Sequence, residues 1–169
     1  MDIVGKSPVS LPLLIIGKIA LFACALFPVV KLLNLGSMLY ESSITQAIGL
    51  VIYALGISVV IISLIHLGKS AAVGIPERNT ELKTQGMYRL TRNPVYVGAF
   101  MMCAGSCLFS IHAINFALLA IAIGVHHQIV MKEEEFLEQR FGQQWLNYKQ
   151  QVPRYLMTIR QTRAPRKTD

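Results

Sequence analysis

Gly86-Met87-Tyr88-Arg89-Leu90-Thr91-Arg92-Asn93-Pro94-Val95-Tyr96-Val97-Gly98 opens an uncharged run that continues to Met131, and a second polar cluster, Lys132-Glu133-Glu134-Glu135, begins where that run stops. Between Arg92 and Lys132 there is no Lys, Arg, Asp or Glu. Such a stretch is lipid-facing or buried. It is too long for one bilayer crossing and suits two short ones, about 95–111 and 113–131, bending where polar residues gather at Ser110-Ile111-His112-Ala113-Ile114-Asn115. An antiparallel hairpin returns its ends to one side, so the two polar clusters can meet.

Upstream lie two more apolar segments. Ile44 to Leu67 carries no charge and is about 36 Å long as a helix, enough to cross with some tilt. Gly49, Gly56 and Ser63 recur on one face of it, the pattern that lets a neighbouring helix approach closely. The first span, Leu11 to about Leu33, tolerates Lys18 and Lys31 only if they snorkel or face protein. Ala23-Cys24-Ala25 superficially resembles a cleavage site, but the apolar run continues past it.

The chain of 169 residues reads as a single all-α membrane domain, 53% hydrophobic with a mean hydropathy of +0.49, too apolar for an ordinary soluble protein. Its net charge of +7 lies in the loops between apolar segments rather than on one soluble face, which argues against a nucleic-acid partner and for anionic membrane lipids. Five Lys or Arg fall in 68–92, eight in the tail 132–169 and none in 34–43. The positive-inside rule then predicts about four spans with both termini and the central loop in the cytoplasm. Within the tail, Phe136, Leu137, Phe141, Trp145 and Tyr148 form the apolar face of a helix predicted from Lys132 to about Gln151, which Pro153 stops. Cys24, Cys103 and Cys107 all sit inside apolar segments, an odd count that argues against a disulfide framework; no metal site is predicted.

Chemistry is sought where the hairpin ends. Arg89 and Arg92 could simply snorkel to headgroups, and Tyr88 and Tyr96 could be interfacial belt residues. Pro94 between Gly86 and Gly98 points instead to a shaped helix start whose free backbone N–H groups could hold a polar or anionic ligand. Glu133, Glu134 and Glu135 fit the solvated start of a helix, yet they abut the hairpin opposite Arg92, where a carboxylate could receive an ammonium group. His126 shares a helical face with Glu133; a buried histidine satisfied by a neighbour is the commoner outcome than a catalytic one.

Gly86-x-Tyr88-x-x-x-Arg92-Asn93-Pro94-x-Tyr96-x-Gly98, then Glu133-Glu134-x-x-Leu137-x-x-x-Phe141-Gly142, then Tyr148 and Val152-Pro153-Arg154 resemble the signature of integral-membrane methyltransferases, a group similar to isoprenylcysteine carboxyl methyltransferases and phospholipid N-methyltransferases. The resemblance implies S-adenosylmethionine bound on the cytoplasmic side, beside an opening for a lipophilic small-molecule or lipid acceptor. By position, Thr80, Leu82, Lys83 and Tyr88 would line the cofactor, Asn93, Pro94, Val95 and Tyr96 would continue its wall, and Glu133 would take the methionine ammonium. Arg92 and Glu134 are the catalytic candidates, Arg92 as the residue that orients an anionic acceptor or cofactor group. The compact form implies a prokaryotic inner membrane; the oligomeric state is left open.

Three positions depart from the family. Asn93 and Thr80 stand where His is frequent, and Ile129 stands where the isoprenylcysteine enzymes have an Arg facing the acceptor carboxylate. Two other readings compete: an NADPH-dependent sterol-reductase-like enzyme, in which Trp is frequent at the position of Trp145, and a non-catalytic membrane scaffold or transport protein.

Overall fold

The computed structural model describes residues 10–68 and 82–155. Their elements run α1 (Leu11–Leu32), α2 (Ser43–Leu67), a 3-10 turn (Gly86–Arg89), α3 (Pro94–Phe109), α4 (Ala113–Phe141) and α5 (Gln143–Gln151). The all-helical expectation holds. Helices α1, α2 and α4 are each long and apolar enough to cross a membrane, whereas α3, with 16 residues and about 24 Å, is shorter than such a span. Large apolar side chains such as Ile19, Phe22, Ile44, Val51 and Ile65 stand exposed on α1 and α2, the inverse of a water-soluble surface. This is a membrane protein.

Helices α1, α2 and α3 begin and end within two residues of the apolar segments read from the sequence, and the tail brings one correction. The tail helix does not begin at Lys132. Helix α4 runs unbroken from Ala113 to Phe141 and so carries the acidic cluster on the same rod as the apolar run. Nothing between Met131 and Glu135 stops a helix, since Lys and Glu are good helix formers. The break comes at Gly142, whose φ of +51° is the left-handed conformation that glycine adopts without penalty. Beyond it α5 runs to Gln151, with Val152 as its C-cap.

Helices α2 and α3 meet backbone to backbone, as the spacing of Gly49, Gly56 and Ser63 predicts. A Cβ added to Gly56 would lie 2.7 Å from the Gly98 carbonyl oxygen, and one added to Gly105 would lie 2.6 Å from that of Gly49. Helix α1 covers the other side, where Cys24 meets Cys103 and Cys107 in a fully buried cluster. Lys31 faces protein, donating to the Phe109 carbonyl at 3.2 Å and pairing with Glu41 at 3.3 Å, while Lys18 is exposed. At the bend, the His112 side chain caps α4 by accepting from the Ile114 N–H. Both ends of the α3–α4 hairpin return to one side, where the polar clusters lie.

Candidate active site

The site is assembled by three pieces of chain: residues 82–96, the stretch of α4 around Glu133 and Glu134, and the segment after α5. Helix α5 anchors the first to the third. Trp145, Tyr148 and Val152 are buried against Leu82, Leu137 and Phe141, and the Tyr148 hydroxyl donates to the Tyr88 carbonyl at 2.6 Å. Past Pro153 the chain crosses back over the opening motif. The Arg92 N–H donates to the Pro153 carbonyl at 2.9 Å, and the Thr91 hydroxyl donates to the Arg154 carbonyl at 2.7 Å.

Glu134 lies at the centre of this crossing, 4% exposed. Arg154 grips it with two hydrogen bonds, Nε to Oε1 at 3.1 Å and Nη2 to Oε2 at 2.9 Å, the fork geometry that favours Arg over Lys. Arg92 Nη2 stands 3.4 Å from Oε2, and Asn93 Nδ2 donates to Oε1 at 3.2 Å. Asn93 occupies the N-cap position of α3 but makes no side-chain cap; its amide is spent on Glu134. The Arg154 guanidinium is held above its usual pKa by its hydrogen bond to Glu134, whereas burial pulls that of Arg92 down against the opposing pull of Glu134. Arg92 also stacks over Trp145 at 5.7 Å, and its Nε and Nη1 are buried with no partner among the described residues, as is Trp145 Nε1.

Glu133, one residue earlier, faces another way and has a different environment. It is half-buried, and the Tyr96 hydroxyl donates to both its oxygens, at 3.1 and 3.3 Å. No cation pairs with it among the described residues. Tyr88 lies nearby, its phenol pushed up to about 12 by burial first and by the Glu133 charge second. The rings continue into the hairpin: Tyr96 stands 5.6 Å from His126, Phe100 6.3 Å from His126, and Tyr155 6.2 Å from Phe100, with the Tyr155 hydroxyl 3.0 Å from His127 Nδ1.

The two polar clusters thus meet. Arg92 and Asn93 reach Glu134, Tyr96 reaches Glu133, and Pro94 starts α3 between them. Leu82 packs against the α5 cluster, Val95 and Lys83 are half-buried, and Thr80 lies outside the described residues. Arg154, which the sequence reading quoted in the Val152-Pro153-Arg154 motif without giving it a role, joins the candidate site through Glu134, and Tyr155, which nothing in the sequence marks, joins it beside Phe100 and His127.

A half-buried carboxylate that lacks a counter-cation among the described residues, walled by tyrosines, fits a ligand ammonium; the fully paired Glu134 does not. Against families of known proteins, residues 44–144 match the phospholipid methyltransferase model. Protein-S-isoprenylcysteine O-methyltransferase B of Arabidopsis thaliana is 30% identical over 78 residues, which is 46% of this chain and 40% of the plant protein. The match therefore spans well under half of that relative. On the family match, which takes in the glycine-packed α2–α3 pair, the opening motif and both glutamates, this chain belongs to the phospholipid methyltransferase family.

Proposed function

We propose that the protein transfers the methyl group of S-adenosylmethionine to a lipophilic acceptor that arrives from the bilayer. The observation that carries this reading is Glu133: a half-buried carboxylate held by Tyr96, free of any cation among the described residues, beside the motif that opens α3. Glu133 takes the methionine ammonium of the cofactor. Leu82, Lys83 and Tyr88 with Asn93, Pro94, Val95 and Tyr96 line the slot; Thr80, which the resemblance adds to them, lies outside the described residues. When bound, the cofactor supplies an electrophilic methyl on a positively charged sulfur.

The chain's own work is to position two groups in line and to keep water away. The Glu134–Arg154–Arg92–Asn93 cluster holds the two walls at fixed separation, and the rings of Tyr96, Phe100 and Tyr155 give the slot a dry side. Arg92 keeps two nitrogens unpartnered among the described residues, which suits it to orient an anionic group of the acceptor or cofactor. In the bilayer, α3, packed against α2, makes the third of four crossings, both termini and the site face the cytoplasm, and α5 lies on that side. The membrane is the inner membrane of a prokaryote.

Titration calorimetry in detergent tests the reading. S-adenosylmethionine and S-adenosylhomocysteine bind the wild type, and Tyr88→Ala and Glu133→Gln lose that binding. Binding of NADPH in their place would transfer the protein to the reductase class, and binding of none of the three would leave a scaffold.

A further inference from the structure

We propose that the cleft between α4 and the chain from α5 to Arg154 holds the headgroup phosphate of an anionic membrane lipid, at a site separate from the slot that Glu133 faces.

The cleft encloses about 340 Å³. Its α4 wall is Met131, Glu134, Glu135 and Glu138, whose spacing of three, four and seven residues sets them on one face over about 10 Å of helix axis. Glu133 is not among them. At about 100° per residue it stands about 100–160° round the helix from each of the four. The opposite wall is Lys149 of α5 and Arg154 beyond it. Lys149 pairs with Glu138 at 3.1 Å and Arg154 with Glu134 at 2.9 Å, so the later chain runs antiparallel to α4, toward the apolar run.

The two ends of the cleft differ, and an amphiphile matches the difference. Met131, the last residue of the uncharged run, is 43% exposed and gives the cleft an apolar mouth at the membrane boundary. Lys132 follows it directly, and Arg154 and Lys149 line the part farther from the apolar run. A free phosphate would use the cations alone; a lipid uses the mouth for its chains and the cations for its headgroup.

Each of the three cations has an acid partner. The Lys132–Glu135 and Lys149–Glu138 pairs are exposed, and exposed pairs hold weakly enough for either ammonium to turn to a phosphate. The buried floor supplies the drive. Arg92 and Arg154 share the carboxylate of Glu134, and no second carboxylate pairs with either among the described residues. The group thus carries one more positive charge than negative. Arg92, outside the lining, keeps Nε and Nη1 without partners among the described residues. A phosphate beside Arg154 balances that excess and takes up part of the Arg154 guanidinium, which leaves more of Glu134 to Arg92.

Native mass spectrometry of the full-length protein released from detergent tests this, with phosphatidylglycerol and phosphatidylcholine offered at equal concentration. The wild type keeps one phosphatidylglycerol with about 10-fold preference, and Lys132→Gln/Lys149→Gln brings the preference to within about twofold. Arg140→Gln, which removes a charge outside the cleft, and Glu133→Gln, in the slot, both keep it. Equal retention of the two lipids by the wild type, or a preference that survives the double substitution, overturns the proposal. So does loss of the preference in Arg140→Gln, the mark of a general charge effect, or in Glu133→Gln, the mark of a lipid in the slot. Displacement of the lipid by inorganic phosphate at the same concentration also overturns it, since the cleft would then read the free anion.

Discussion

Glu133 and Glu134 are neighbours in sequence with opposite duties, and replacing each by Gln separates them. Glu134 is 4% exposed and accepts from Arg154 twice, from Asn93 once, and balances Arg92, whose side chain is 7% exposed. In Glu134→Gln the amide turns donors toward donors, and Arg92, which already has Nε and Nη1 without partners among the described residues, loses its countercharge. Removing one member of a buried ion pair costs about 3–5 kcal/mol. Arg154 is partly exposed, with 27% of its side chain accessible, and recovers some hydration, so the lower half of that range is expected. Glu133 has no ion pair among the described residues, and Glu133→Gln is expected to cost less than about 1 kcal/mol because Tyr96 still finds an acceptor. Reversible unfolding in mixed detergent measures both, and calorimetry with S-adenosylhomocysteine gives the complementary result, binding lost in Glu133→Gln. A Glu134→Gln protein within about 1 kcal/mol of the wild type, or equal losses for the two variants, would refute this division of labour.

Gly56→Val inserts a side chain where a Cβ alone would stand 2.6 Å from the Met102 nitrogen, so α2 and α3 must separate; a loss of about 1–3 kcal/mol is expected by the same unfolding assay, and wild-type stability would mean the helices do not touch there. Alkaline titration probes Tyr88, whose phenol is raised to about 12 from 10.0. The folded state holds the proton more tightly than the unfolded chain, so its contribution is complete below pH 10 and is lost as pH rises through about 12; Tyr88→Phe flattens that decline, and an unchanged profile argues against its burial. For the orientation, a protease added to inside-out vesicles cuts between Arg78 and Lys83, and cleavage only from the opposite face reverses the topology.

The apolar segments and their ends were legible from the chain alone, because a run without charge that is long enough to cross a bilayer has few other fates. So was a face of α2 that a neighbouring helix could approach closely, since Gly49, Gly56 and Ser63 recur every seven residues; that the neighbour is α3 came from the structure. The meeting of Arg92 with the acidic cluster also followed, since a hairpin brings its ends together. Tertiary structure decided the rest. Which glutamate is paired depends on the helical phase of α4, and that phase is set by its continuity through Met131 and Lys132, which composition does not reveal. The return of Arg154 depends on the turn at Gly142 and the docking of Trp145 and Tyr148, contacts that join residues far apart in sequence. Sequence placed two adjacent carboxylates at the membrane boundary; only packing gave one a full set of partners and left the other, beside Tyr96, with room for a cation.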